Sequence, residues 1–392
     1  MDYLVSEKSG AAIQQAIERA AQAGGGRVVL EPGVYLSGTL YLRSNIELHI
    51  PAGAKILGES TPERYDDFCH PGFDAVAPEG SRKCLIAAAE CENISITGGG
   101  EIDGNGPLFY DRNVPPGKFF AKPPHPRPRM VQLYRCRNVF IDGVSFLDSP
   151  GWSFWLIACE DVHISRIRII GCQQMINNDG IDIDSCRRVT VSDSFFRTGD
   201  DCLILRAIRR SPEEPSICEE VTVTNCVLDS ACQGIRIGCP SDDTIRHCTF
   251  SNIVFRGKGN GIVSVHPYRY LRKECCGYLQ VSDLCFENFD IVSGGAPVVI
   301  LCEGAIRLRG LERLTFRNFR VRARRPFQLE GNAATSLSDL RFSGISGTIE
   351  GDVPFIARHV SRLNLNEIEL SGNTGELPPF ERPESDSWES KF

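Results

Sequence analysis

Residues 136–149 read CRNVFIDGVSFLDS, and the same pattern returns as CEDVHISRIRIIGC at 159–172 and as CRRVTVSDSFFRTG at 186–199. Each copy opens with a cysteine and a polar pair, alternates aliphatic with polar residues, and closes on a turn. The three opening cysteines are separated by 23 and then 27 residues. Related copies begin at Cys91 and Cys218. Alternation of period two indicates short β-strands that recur at a regular interval.

Short strands repeated at this interval, without helical segments between them, predict a solenoid of β-strands. A propeller or a β-sandwich is the alternative, but a propeller blade needs roughly 40 residues, which fits the spacing badly. We therefore predict an all-β fold, a right-handed parallel β-helix. The opening cysteines should then lie above one another as small buried thiols rather than form disulfides. The pair Cys275 and Cys276 stays open in this respect.

The two ends of the chain and one internal segment depart from the repeat. The segment SGAAIQQAIERAAQAGGG has helical spacing and predicts a helix at 8–24 that caps the solenoid. A segment rich in proline and basic residues, 105–130, predicts a long loop on the substrate side. We expect one β-helix domain over 1–375 and a polar tail with disorder-like composition at 376–392.

Composition excludes several classes of protein. The chain has 392 residues, 42% hydrophobic and 24% charged, which is typical of a globular protein. A net charge of −7 and a pI near 5.6 argue against nucleic-acid binding, and no apolar run is long enough for a membrane helix. The N-terminus MDYLVSEKSG lacks the features of a signal peptide, so we expect a cytoplasmic protein. A secreted or periplasmic protein whose signal has been removed is the alternative, and the oligomeric state stays open.

Five aspartates are crowded into two short segments. Asp179, Asp182 and Asp184 lie among isoleucines, and Asp200 and Asp201 are adjacent. Asp179 and Asp200 are 21 residues apart, close to one coil, so they should stand on adjacent rungs. Like charges so close destabilise the fold unless one carries a proton or function requires them. Paired carboxylates, one acid and one base, are what glycoside hydrolysis requires.

Not all five aspartates need a catalytic explanation. Asp182 and Asp184 are explained more simply as residues that cap turns or line the outer face of the solenoid. Asp201 must point away from its neighbour unless the backbone bends, and Gly199 permits such a bend. Asp179, Asp200 and Asp201 therefore form the candidate cluster.

The two acidic segments, NNDGIDID at 177–184 and GDDCLIL at 199–205, resemble the polygalacturonases of glycoside hydrolase family 28. The family pattern is Asn-x-Asp, Gly-Asp-Asp, Gly-His-Gly and Arg-Ile-Lys, and the resemblance extends to GEIDGNG at 100–106. It implies a right-handed parallel β-helix and hydrolysis with inversion. We expect no cofactor. The resemblance further implies that Asp200 is the general acid and that Asp179 and Asp201 activate the water. Asn177 matches the first motif.

Two motifs depart from the family pattern. In CQGIRIG at 232–238, Gln233 replaces the histidine and Gly234 follows it. In NGIVSVHPYRY at 260–270, valines 263 and 265 stand where the family has arginine and lysine, the pair that holds the sugar carboxylate.

The residues that would bind the substrate in their place can be named from the sequence. We expect the substrate to be bound instead by residues in or near the Asn-x-Asp motif and the two divergent motifs. These residues are Asn177, Gln233, Gly234, Arg236, His266 and Arg269. For the arginines a solvated surface position, and for His266 a purely structural role, are the competing interpretations.

These observations predict an inverting hydrolase that acts on a pectin-type or related acidic oligo- or polysaccharide. A polysaccharide lyase is an alternative, although such lyases usually need Ca²⁺ and a basic residue, and no calcium loop is evident. A non-catalytic carbohydrate-binding β-helix is another. The aspartates could also bind Ca²⁺, but we expect no metal.

Overall fold

The computed structural model describes residues 1–70, 81–115, 117–210, 214–238, 240–266 and 279–372. The polar tail, the pair of adjacent cysteines and Arg269 lie outside these residues. The described chain groups into two compact units. The N-terminal unit comprises Met1–Pro115, Phe119–Asp182 and Cys186–Asp200, and the C-terminal unit runs mainly from Asp201 on and includes Ile183–Ser185. The single domain over 1–375 stays a prediction.

The described residues form one α-helix, two short 3₁₀ helices at Pro62–Arg64 and Gly106–Phe109, and thirty strands. The helix is α1 (Gly10–Gln22), and the strands are β1 (Asp2–Val5), β2 (Gly26–Leu30), β3 (Gly33–Ser37), β4 (Leu40–Tyr41), β5 (Ile46–His49), β6 (Ala54–Gly58), β7 (Cys84–Ala89), β8 (Glu92–Thr97), β9 (Glu101–Asp103), β10 (Arg129–Tyr134), β11 (Arg137–Asp142), β12 (Ser145–Leu147), β13 (Phe154–Ile157), β14 (Glu160–Ser165), β15 (Arg168–Ile170), β16 (Ile181–Asp184), β17 (Arg187–Ser192), β18 (Phe195–Thr198), β19 (Leu203–Arg206), β20 (Cys218–Ser230), β21 (Ile235–Ile237), β22 (Thr244–Gly257), β23 (Ile262–His266), β24 (Gln280–Ser293), β25 (Val298–Cys302), β26 (Gly310–Ala323), β27 (Phe327–Glu330), β28 (Leu337–Ile349), β29 (Phe355–Arg358) and β30 (Val360–Ser371).

The N-terminal unit is a stack of coils, each with three short strands. Its strands pair in parallel along three ladders, β1–β2–β5–β8–β11–β14–β17, β3–β6–β9–β12–β15–β18 and β4–β7–β10–β13. Arg137 pairs with Glu160, and Glu160 pairs with Arg187. These two successive coils are therefore 23 and 27 residues long, which confirms the interval predicted from the repeat.

The opening cysteines stack inside the N-terminal unit. Cys136, Cys159 and Cys186 are buried, and the backbone N–H of Cys159 donates to Sγ of Cys186 at 3.3 Å. Every described cysteine is a free thiol. This confirms the prediction of small buried residues in a ladder. Burial raises the pKa of the Cys159 thiol well above its usual value, because a thiolate would lose its hydration there.

A polar residue at the same corner of successive coils turns the chain, and at Asn93 and Asn138 it lies two positions after an opening cysteine. Asn45, Asn93 and Asn138 all have positive φ, a conformation that asparagine tolerates. The Nδ2 of Asn93 donates to Oδ1 of Asn45 at 2.8 Å, and Asn138 donates to Asn93 at 2.7 Å. The asparagine side chains thus hydrogen-bond to one another from coil to coil, and the same turn recurs at this corner of each coil.

Helix α1 covers the first coil of the N-terminal unit. The hydroxyl of Ser9 accepts the N–H of Ala12 at 3.2 Å and begins the helix. Its apolar face, which includes Ile13 and Ile17, is buried against the first strands. The predicted capping helix is confirmed, shorter by two residues at each end, where Ser9 and Ala23 are the caps. No helix in the described part of the chain is long and apolar enough to span a bilayer.

The C-terminal unit has two strands per coil, and one of the two is long. The ladders β20–β22–β24–β26–β28–β30 and β19–β21–β23–β25–β27–β29 are parallel throughout. Its core holds a column of stacked phenylalanine rings, with centroids 4.5–5.0 Å apart: Phe250, Phe286, Phe316 and Phe342. Successive rings are 36, 30 and 26 residues apart along the chain, and the strand register pairs each phenylalanine with the next, so identical side chains stack although the coils differ in length.

Candidate functional site

Asp179 and Asp200 are brought together within the N-terminal unit. Both side chains are buried. The backbone N–H of Asn177 donates to Oδ2 of Asp200 at 3.1 Å. Oδ1 of Asn178 accepts the N–H groups of Gly199 at 2.7 Å and Asp200 at 3.2 Å. The two acidic segments are therefore held side by side by direct hydrogen bonds, as a spacing of one coil predicts. The catalytic roles of these aspartates stay predictions.

Gly199 is required by close packing. A Cβ at this position would lie 2.2 Å from the carbonyl oxygen of Met175 and 2.7 Å from Oδ1 of Asn178. Any larger residue would push the two segments apart. The sequence suggested that glycine is needed here for a backbone bend. The structure shows instead that glycine is needed because a side chain would not fit between the two segments.

A buried arginine from the 105–130 segment braces the first motif. Arg127 is 2% exposed and donates to the hydroxyl of Tyr110. It also donates to the carbonyl oxygens of Pro150 at 3.0 Å and Ile176 at 2.7 Å, and to Oδ1 of Asn177 at 2.9 Å. The side chain of Asn177 is thus held by Arg127 while its backbone N–H holds Asp200. The substrate-side role of this segment stays a prediction.

The charges of the same cluster affect the pKa of Tyr110. Burial raises the pKa of Tyr110 to about 12, the positive charge of Arg127 opposes that rise, and the charges of Asp200 and Asp179 add to it. The phenol is therefore neutral at any physiological pH. Its hydroxyl contacts the carbonyl oxygens of Pro150 and Ile176 at 2.9 and 2.6 Å.

Sequence reasoning missed Arg127, Tyr110 and Asn178. Arg127 lies in the run HPRPR, where it looks like any other basic loop residue. Its contact with Asn177 spans 50 residues. The one available signal was the position of Asn178 between the two matched motif residues, which suggested no role by itself.

Asp201 lies in the C-terminal unit, where both of its carboxylate oxygens are held. Its Oδ2 forms an ion pair with Nε of Arg236 at 2.8 Å, and its Oδ1 accepts the backbone N–H of Gln233 at 3.2 Å. The side chain of Asp201 is 0% exposed and that of Arg236 14%. A guanidinium at contact distance stabilises the ionised carboxylate in such a buried position.

Gln233 and Gly234 have clear structural roles in the C-terminal unit. Oε1 of Gln233 accepts the backbone N–H of Asn260 at 2.9 Å and its Nδ2 at 3.0 Å. A Cβ at Gly234 would lie 2.7 Å from both the carbonyl oxygen of Gly261 and the ring of Phe255. The next coil thus requires both residues, and their contact with substrate stays a prediction.

His266 is buried at the end of β23. Burial lowers its pKa to about 4, so the ring is neutral at pH 7. Its Nε2 lies 3.0 Å from the hydroxyl of Ser264. A neutral, enclosed imidazole favours the structural interpretation of the two we considered, and its role in substrate binding stays a prediction.

The two valines that replace the basic pair belong to an apolar cluster. Val263 is buried against Ala296 and Val299, and Val265 and Leu301 pack on them partly exposed. The register pairs Val263 with Val299 and Val265 with Leu301. The positions where the family pattern has arginine and lysine therefore present hydrocarbon.

Asp184 has structural contacts, but it is buried, as Asp182 is, rather than placed on the outer face that the sequence suggested. It forms an ion pair with Arg210. Its Oδ1 also accepts the hydroxyl of Ser185 at 2.8 Å and the backbone N–H of Ile208 at 3.3 Å. These contacts fix the segment that follows β19.

Among the described residues of the C-terminal unit, one carboxylate and one thiol lie close enough to share a metal ion. A carboxylate oxygen of Asp201 lies within 4.8 Å of Sγ of Cys232. Asp201 is already occupied by Arg236 and Gln233, and a thiol is a poor partner for the hard cations that carboxylates bind.

Comparison with known proteins gives a consistent result. The family described as glycosyl hydrolases family 28 matches residues 68–211. An endo-polygalacturonase of Pectobacterium carotovorum is 25% identical over 323 residues, which cover 74% of this chain and 78% of that protein. A probable polygalacturonase of Vitis vinifera is 27% identical over 191 residues, 47% of this chain and 37% of that protein. The match to this grapevine protein and to two probable polygalacturonases of Arabidopsis thaliana covers 36–49% of the length of those proteins.

A solved structure extends the comparison to almost the whole chain. An exopolygalacturonase from Thermotoga maritima superposes with a TM-score of 0.74 at 22% identity, over 95% of this chain and 92% of that one. This likeness concerns the fold, and it confirms the predicted right-handed parallel β-helix.

Proposed function

We propose, for this polygalacturonase-like chain of glycosyl hydrolases family 28, that it hydrolyses a pectin-type or related acidic oligo- or polysaccharide with inversion at the anomeric carbon. Asp200 is the general acid that protonates the leaving oxygen. Asp179 and Asp201 are the base that activates the attacking water. No cofactor takes part in this scheme.

The observation that carries the proposal is the unequal environment of two adjacent carboxylates. Asp201 is ion-paired with Arg236 and so is suited to remain a base. The oxygen of Asp200 accepts a neutral backbone N–H from Asn177. The two carboxylates thus have different partners, a cation for the proposed base and a neutral donor for the proposed acid, and acid and base catalysis requires two carboxylates in different environments.

The test of the acid is Asp200→Asn, which keeps the size of the side chain and cannot donate a carboxyl proton. We expect turnover to fall by a factor of about 10³ or more, since general acid catalysis contributes roughly 10²–10⁴. Asp161→Asn is the control, because Asp161 pairs with the exposed Arg188 on the surface. A D200N protein that keeps a tenth of the wild-type rate would remove Asp200 from this role.

The stereochemistry has its own test. Proton NMR of the first product should show the inverted anomer, because the water attacks opposite the leaving group. Retained configuration would contradict the scheme. Ultraviolet absorbance during the reaction distinguishes hydrolysis from the lyase reaction, whose products carry a new double bond.

Substrate choice follows from the apolar cluster at Val263. A sugar carboxylate placed against buried hydrocarbon without a cation would lose several kcal/mol of binding free energy, roughly a thousandfold in affinity. We therefore expect a neutral sugar, or an acidic one held elsewhere, at this position, and poor activity on homogalacturonan. Products from homogalacturonan, rhamnogalacturonan and short neutral oligosaccharides should be compared. Efficient hydrolysis of unmodified homogalacturonan would overturn this part of the proposal.

A further inference from the structure

The ion pair between Arg236 and Asp201 gives the arginine a different task from the one its sequence position suggested. Arg236 was expected to replace the missing basic pair and hold the sugar carboxylate. Its Nε instead lies 2.8 Å from Oδ2 of Asp201. A guanidinium already neutralised by a carboxylate of the protein offers less charge to a carboxylate of the substrate.

We infer that Arg236 is a positioning residue, which orients the carboxylate of Asp201 and keeps it ionised for its part in activating the water. This inference rests on the proposed hydrolase function. It assigns Arg236 to the chemical step rather than to the binding of the sugar.

The backbone fixes Arg236 beside Asp201. The N–H groups of Cys202 and Leu203 donate to the carbonyl oxygens of Gln233 and Gly234, at 3.0 and 3.1 Å. Strand β21 is thereby locked in register with β19, and Arg236 pairs with Ile204. The arginine has little freedom to leave Asp201, because its Cα is set by these bonds and its side chain is largely enclosed.

The enclosure makes the ion pair necessary. A carboxylate that is 0% exposed loses most of its hydration, and it remains charged only where a cation and hydrogen-bond donors compensate. Arg236 supplies the cation, and the backbone N–H of Gln233 supplies a second donor. The nearby Cys232 thiol contributes no positive charge. Loss of the guanidinium would leave Asp201 free to rotate or to take up a proton, and either change weakens a base.

The chain contains a matched control for this ion pair. Arg210 pairs with Asp184 in the same unit, and the side chains of that pair are 15% and 0% exposed, against 14% and 0% for Arg236 and Asp201. Removing either arginine leaves a buried aspartate without its cation. Loss of either arginine should therefore lower the stability of the fold by about the same amount. The two pairs differ in function, because Asp184 has no place in the proposed mechanism.

The experiment measures kcat and KM for Arg236→Met, Arg236→Lys, Arg210→Met and Arg210→Lys on the best substrate of the wild type. For R236M we expect kcat to fall by about a hundredfold or more with KM within threefold, a loss at the low end of base catalysis. Added guanidinium ion should restore part of kcat. For R236K we expect a smaller loss of kcat, roughly tenfold, because an ammonium keeps the charge but not the planar geometry. R210M should keep kcat within threefold.

A second readout does not depend on activity. If Arg236 compensates the charge of Asp201, Asp201→Asn in the R236M background should recover part of the melting temperature that R236M loses. Likewise, Asp184→Asn should recover part of the melting temperature that R210M loses. The recovery in one ion pair thus serves as the reference for the recovery in the other. Should R236M fold too poorly to assay, R236K with added guanidinium carries the kinetic test.

The outcomes separate the alternatives. A rise in KM with kcat unchanged would overturn the inference and make Arg236 a clamp for the sugar. Parallel loss of kcat in R236M and R210M would also overturn it, because the ion pair would then act only through stability. Failure of the hydrolase proposal looks different: the wild type releases no product, or D200N is as active as the wild type.

Discussion

Arg127 gives the sharpest test of how the N-terminal unit holds its acidic cluster. The change is Arg127→Met, which keeps a long apolar side chain and removes every N–H donor. Arg127 is buried and donates to two carbonyl oxygens, to the hydroxyl of Tyr110 and to the side chain of Asn177. Asn177 in turn donates its backbone N–H to Asp200. We expect the loss to loosen Asn177 and, through it, Asp200.

The magnitude follows from the bonds that are lost. Each hydrogen bond from a charged group contributes about 1.5–3 kcal/mol, but the contributions are not additive. The hydroxyl of Tyr110 lies 2.9 and 2.6 Å from the carbonyl oxygens of Pro150 and Ile176, so it can take over one of them. The net cost of R127M should therefore be about 3–5 kcal/mol of local stability. At 1.4 kcal/mol per decade this is a change of roughly a hundred- to several thousandfold in local opening.

Hydrogen exchange measured by mass spectrometry on peptides that contain Asn177 is the suitable assay, because a solenoid opens locally rather than all at once. Exchange there should accelerate by that factor, and kcat should fall at least tenfold. Arg166→Met is the control: Arg166 is 70% exposed in its ion pair with Asp142, and such surface pairs contribute about 0–1 kcal/mol. Tyr110→Phe should fall between the two. Unchanged exchange and unchanged kcat in R127M would refute the view that Arg127 positions the cluster.

Three further predictions concern acid stability, packing and thiol reactivity. Burial lowers the pKa of His266 to about 4, so between pH 6.5 and 4 the unfolded chain binds a proton that the folded chain does not. The contribution of His266 to stability is therefore complete above pH 6.5 and declines by about 3 kcal/mol as the pH falls through that window. The melting temperature of His266→Gln should fall less on acidification than that of the wild type, and equal declines would contradict this. Gly199→Ala should lower the melting temperature and kcat together, since its Cβ would lie 2.2 Å from a backbone oxygen, whereas Gly310→Ala, with no atom closer than 3.8 Å, should be neutral. Peptide mapping after iodoacetamide treatment of the native protein should find Cys69 modified and Cys159 protected, and a modified Cys159 would contradict its place in the buried ladder.

The fold was accessible from the sequence because its regularity is local. Each coil repeats the same short pattern, so the 23- and 27-residue intervals reappear as the pairs Arg137 with Glu160 and Glu160 with Arg187. The capping helix had its own local signals, a serine cap and closing glycines. The predicted neighbourhood of Asp179 and Asp200 follows from the same interval, since residues one coil apart stack.

Only folding fixes the partner of each charged group. The sequence predicted that aspartates would crowd on adjacent coils and that valines would replace the basic pair. It did not show that Arg236 would lie against Asp201, or that Arg127 would reach Asn177 across 50 residues. The interval of a repeat fixes which backbone positions stack, because hydrogen bonds between strands set the register. Where a long arginine side chain ends depends on burial and on which carboxylate or carbonyl oxygens it meets, and only the folded chain brings these groups together.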